Sequence, residues 1–135
     1  MTDNFANKKE ASAALKYWKT QLGLRDWFIK LRFTEGAFGD NKNNTGFCDF
    51  DFSNKSALIT IANLNEYERG NLVIKQPQEQ VLIHELLHCL YPIKYKNEEI
   101  NSEIVSELQH QVLEQIAKTL FAEKYKLNIN WFNNK

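Results

Sequence analysis

Little in this chain could staple a fold covalently or break it locally. Among 135 residues there are two cysteines, Cys48 and Cys89, and two prolines, Pro77 and Pro92. The cysteines are far apart and not in CxxC spacing, which excludes a disulfide scaffold and a cysteine-based zinc site as expectations. Two reduced thiols are expected instead, with Cys89 buried. No repeat, Pro-rich linker or low-complexity block divides the chain. No stretch approaches the ~18 apolar residues of a membrane span, and the first 25 residues lack the apolar core of a secretory signal. An excess of one charge is also missing: seventeen Lys and Arg cancel seventeen Asp and Glu. Without a basic field, nucleic acid is disfavoured as a partner, and no membrane association is expected. What is present, 43% hydrophobic and 13% aromatic residues, suffices for one core. One cytoplasmic domain over 1–135 is the expectation.

Periodicity divides that domain into a helix, three strands and two longer helices. Ala11, Ala14, Leu15, Trp18 and Leu22 form a 3.6-residue stripe ending at Gly23, which predicts a helix over 9–22. In 26–33, Trp27, Ile29, Leu31 and Phe33 alternate with Lys30 and Arg32, the pattern of a half-buried strand. The Gly- and Asn-rich stretch 34–46 reads as a loop. It is not an EF-hand: counted from Asn41, position twelve is Phe52 rather than Glu. Residues 46–52 and 57–62, joined by a turn at Ser53-Asn54-Lys55, predict a hairpin added to the first strand. Helices follow over 78–91, just after Pro77, and over roughly 98–122. Trp131 and Phe132 in the tail are expected to tuck against the core.

The first of the long helices contains His84-Glu85-Leu86-Leu87-His88, an HExxH pattern. A spacing of four puts both imidazoles on one helix face, about 5–6 Å apart, so that their nitrogens can converge on one Zn²⁺. Glu85 stands beside them, where a carboxylate can take a proton from an attacking water and hand it to a leaving amine. With three His and twelve Glu in the chain, chance yields this pattern in about 0.4% of shuffled sequences. Two histidines satisfied within an apolar core are the simpler alternative, disfavoured by the spacing and the intervening Glu.

Zinc needs a third protein ligand, and the following helix must bring it back. Glu99, Glu103, Glu107, His110 and Glu114 form a polar stripe at helical steps. The distal members, Glu114 above all, read as a solvated face. The first two turns stand nearest the returning chain, which leaves Glu103 or Glu107.

At this point the chain resembles a known family. HExxH followed after 14 residues by Glu103 is similar to the gluzincin arrangement of small zincin-like metallopeptidase domains. The resemblance is sharp only over 84–107. It implies an α+β, zincin-like fold: an N-terminal helix, a three-stranded mainly antiparallel sheet, the HExxH helix and a C-terminal ligand helix. It further implies Zn²⁺ held by His84, His88 and Glu103, with Glu107 orienting a zinc histidine. Larger gluzincins place a His or Tyr on a further lobe to stabilise the oxyanion. Here Tyr91, Tyr95 and His110 are the available side chains for that role or for substrate contact. The metzincin extension, with its Gly and third His, is absent.

The expected function is a zinc-dependent peptidase acting on a peptide or protein. The alternative is a zinc-binding regulator or phage accessory protein of the same fold with little turnover, working with a protein partner. Small proteins that this chain resembles include repressor-cleaving phage regulators and SprT-like proteases, the latter usually with a zinc ribbon that is missing here. A closed structural zinc site is disfavoured, since such sites use four protein ligands rich in Cys. Zincins usually bind substrate as an added strand, and 57–63 is the edge expected to receive it.

Overall fold

The computed structural model describes residues 3–90 and 102–133. The fold is α+β. Helix α1 (Lys8–Gln21) leads into strands β1 (Phe28–Glu35), β2 (Gly46–Asp51) and β3 (Ser56–Asn63). A short helix α2 (Glu66–Gly70), the long helices α3 (Gln78–Leu90) and α4 (Ser102–Tyr125), and a 3₁₀ turn at Ile129–Phe132 complete it. α1 begins where the Asn7 side chain accepts from the Glu10 backbone N–H, and its chain leaves through Gly23 at φ +72°. α2 escaped the periodicity reading because five residues are too few to show a stripe. Its signal was local: Asn65 and Glu68 form a reciprocal capping box.

The sheet differs from the expected one. Its order is β1-β3-β2, with β1 parallel to β3 and β2 antiparallel to β3, so it is mixed rather than mainly antiparallel. The hairpin of β2 and β3 forms as expected, but β3 inserts between its two predecessors. Apolar content explains the choice. In β3, Ala57, Ile59 and Ile61 are buried on one face and Thr60 and Ala62 on the other. A strand buried on both faces belongs in the middle. β1 and β2 carry exposed Lys30, Arg32, Asp49 and Asp51, charges suited to edges. Segment 57–63 therefore lies within the central strand, paired on both sides, and is not an edge open to substrate.

The helices cover one face of the sheet. Ile59, Ile61 and Cys48 pack with Leu82, Ile83, Leu86 and Leu87 of α3, and Trp18, Leu113, Ala117, Phe121 and Phe132 extend the same cluster. Phe132 is 2% exposed and Trp131 packs beside it, as expected of the tail. The start of α3 is pinned by Gln78. Its side-chain NH₂ donates to the Ala62 carbonyl at 3.0 Å and to Asn63 Oδ1 at 2.6 Å, and its oxygen accepts from Phe5 N–H at 2.8 Å. α3 is thereby seated at a defined height against β3.

α3 and α4 run antiparallel. One end of their contact is held by Glu79, whose carboxylate accepts from Trp18 Nε1 (2.9 Å), Lys124 Nζ (2.7 Å) and Tyr125 OH (2.5 Å), joining α1, α3 and α4. Substituting one member strands the others in a largely buried setting. Glu79→Leu should lower the free energy of unfolding by ~2–4 kcal/mol in urea denaturation. A loss within ~0.5 kcal/mol would show that the helices are registered by other contacts.

Candidate metal centre

His84 and His88 project from α3 and His110 from α4. One nitrogen from each lies within 4.8 Å of those of the other two. The ring centroids are 5.2 Å apart for His84 and His88, 5.4 Å for His84 and His110, and 5.0 Å for His88 and His110. His84 Nε2 and His110 Nδ1 are separated by 3.3 Å. That is also the separation, ~3.3 Å, of two nitrogens bound tetrahedrally to one ion at 2.0–2.1 Å. Among the described residues this is the only group of three or more such side chains able to share an ion. The donor set fits a borderline-soft divalent cation.

The register of the two helices decides which residues meet. His84 stands beside Glu114 and His110, and His88 beside His110, so the two helices meet in antiparallel register at this level. Glu103 and Glu107 lie on the first two turns of α4, on the Ser102 side of His110. Glu103 precedes His110 by seven residues, about 10.5 Å along the helix. Both glutamates are exposed, and neither joins the histidine group. His110, expected as an oxyanion or substrate contact, is the side chain that joins His84 and His88 in that group. Tyr91 and Tyr95 lie outside the described residues, as does Glu99.

Glu114, which the stripe placed on a solvated face, is turned inward. Its Oε2 accepts from His84 Nδ1–H at 2.7 Å, the role the resemblance gave to Glu107. A carboxylate there fixes the tautomer with Nε2 unprotonated and facing the other histidines.

Electrostatics follow from burial. Glu85 is 6% exposed, and desolvation raises its carboxyl to about 7 against the pull of His84. Desolvation, together with the charges of His84 and His110, lowers His88 to about 4, leaving a neutral imidazole at neutral pH. His110 is lowered by the same causes, burial first and then His84. For His84, burial opposes the charged form, but the hydrogen bond to Glu114 and the nearby carboxylates outweigh it and raise the pKa. A cation entering the cluster meets three nitrogens of which two readily give up a proton.

Gly46, the first residue of β2, sits directly over Glu85. A Cβ at this position would lie 2.5 Å from Val81 Cγ1 and 2.9 Å from Glu85 Oε2, so only glycine fits without moving the carboxylate. Beside it opens a cleft of about 220 Å³, lined by Asn43, Asn44, Thr45 and Gln76 as well as His84, Glu85 and His110. The loop that forms this wall is held by backbone hydrogen bonds between Phe38 and Asn44. On the buried side, Cys48 Sγ and Cys89 Sγ meet at 3.9 Å as free thiols, a contact across 41 residues that spacing alone could not reveal.

Comparison with protein families, curated proteins and solved structures found no match. Among the described residues no helix is long and apolar enough to cross a membrane.

The Glu85 carboxyl gives a pH-dependent expectation for the metal-free chain. A carboxyl raised from 4.5 to about 7 on folding favours the folded state below pH 4.5, and this contribution is lost as pH rises through 7. Glu85→Gln removes that loss. In chelator-treated protein the variant should therefore gain stability relative to wild type between pH 5 and pH 8, by ~2–3 kcal/mol in urea denaturation. A difference that does not change with pH would show that the carboxylate ionises in place at no cost.

Proposed function

We propose that this chain is a zinc-dependent peptidase in which His84, His88 and His110 hold the ion and Glu85 moves the proton. The observation that carries this reading is the convergence of three imidazoles beside a buried carboxyl, with His84, Glu85 and His110 lining a cleft. Three nitrogen ligands leave a fourth position for water or substrate, as in catalytic rather than structural sites. When bound, the ion would supply Lewis-acid polarisation and a lowered pKa for water. Glu85, on the same helix beside the two histidines, is placed both to accept a proton from an attacking water and to return it to a leaving amine. Glu114 holds His84 in the tautomer this needs. On this reading the fold is a minimal zincin-like one, with His110 in the position that the gluzincin resemblance gave to Glu103.

The substrate edge becomes β2. Among the described residues no strand pairs with its outer side. The Ala62 N–H donates to the Thr45 carbonyl, and by alternation Phe47 and Asp49 also bond toward β3. Gly46 and Cys48 then direct their N–H and C=O outward, where an extended peptide can pair beside Glu85. The absence of a side chain on Gly46 lets Glu85 stand directly against that edge.

Metal analysis of the purified chain should find about one zinc per molecule. His110→Ala should lower occupancy at least ~10-fold while Glu103→Ala leaves it unchanged; the opposite ranking would return the ligand role to Glu103. Glu85→Gln should keep the ion and reduce cleavage of a peptide library by ~10²-fold or more. Stoichiometric zinc in a wild type that cleaves nothing in such a library would favour the regulator reading.

A further inference from the structure

We propose that Gln80 is a positioning residue for the histidine cluster, acting through Glu114; this rests on the metal-site reading above. Gln80 lies on α3 one turn before His84 and is 1% exposed. Its side-chain NH₂ donates to Glu114 Oε1, while Glu114 Oε2 accepts from His84 Nδ1–H at 2.7 Å. One carboxylate is thus gripped at both oxygens by two side chains four residues apart on one helix. A carboxylate accepts and cannot donate, so the NH₂ end of the amide must face it.

Without Gln80 the Glu114 carboxylate is anchored at one oxygen only. Its terminal torsion is broad, and rotation would carry the accepting oxygen away from His84. The second hydrogen bond removes that freedom and holds the His84 ring with Nε2 toward His88 and His110.

The other end of the same amide supplies an independent observation. Gln80 Oε1 is buried and has no hydrogen-bond partner. An orphaned acceptor weakens the fold, and a methionine of similar length would occupy the same space without it. Packing alone therefore gives no reason for glutamine here. The bond to Glu114 does.

Stability and metal affinity consequently respond to Gln80 in different directions. The test compares wild type, Gln80→Met, Glu114→Gln and the double variant, each prepared metal-free as the full chain. Each is titrated with Zn²⁺ against a competing chelator and with Co²⁺ by its visible spectrum. Gln80→Met is expected to unfold at the same urea concentration as wild type or higher, yet to bind Zn²⁺ about 10-fold more weakly with an altered Co²⁺ spectrum. In the Glu114→Gln background the same change should cost no further affinity, because its path of action is gone. Gln80→Asn, which keeps the amide but cannot reach Glu114, should bind as weakly as Gln80→Met and serves if the latter does not fold. Unchanged affinity and spectrum in these variants, or an undiminished loss in the Glu114→Gln background, would overturn the proposal while leaving the metal site intact. A wild type that binds neither ion would overturn both.

Discussion

The antiparallel register between α3 and α4 is the constraint on which the site depends. Both HExxH histidines come from one helix, and four-residue spacing brings them to one face whatever surrounds them. The third nitrogen comes from another element and can be placed only by sliding one helix against the other. Glu79 with Lys124 and Tyr125 holds that slide at one end, and Glu114 with His84 holds it near the middle. A slip of one turn, about 5.4 Å, would bring another residue of the polar stripe level with His88 in place of His110.

Seating α3 against the sheet completes the geometry. Gln78 ties the helix start to the end of β3, and the close approach at Gly46 brings β2 onto Glu85. The same approach buries the carboxyl and raises its pKa. A small residue on the sheet and a buried carboxyl on the helix are thus two sides of one contact. The edge strand nearest the histidines then becomes the natural place for an extended chain to pair, which links sheet order directly to the proposed substrate path.

Much of the fold was legible because burial imposes periods on sequence. The stripe ending at Gly23, the alternation from Trp27 to Phe33 and the start of α3 after Pro77 each correspond to an observed element. Strand order was less legible, since pairing partners are chosen across the chain. Even so, the largely apolar run of 57–62, interrupted only by Thr60, beside the alternating β1 and β2 carried the signal for a central strand. The expectation of a substrate edge at 57–63 overlooked that difference. The meeting of Cys48 with Cys89 had no local signal at all.

By itself the sequence determined the local chemistry: two imidazoles and a carboxylate on one helix, because helical geometry is set by residues three and four apart. It also determined that the next helix offers a stripe of possible partners. Only the tertiary structure decided among them. Glu103, Glu107, His110 and Glu114 share one polar stripe, and nothing within α4 distinguishes which of them faces α3 at the level of His88. That level is fixed by contacts between residues dozens of positions apart, Glu79 with Lys124 and His84 with Glu114. Periodicity within one helix holds no record of such contacts.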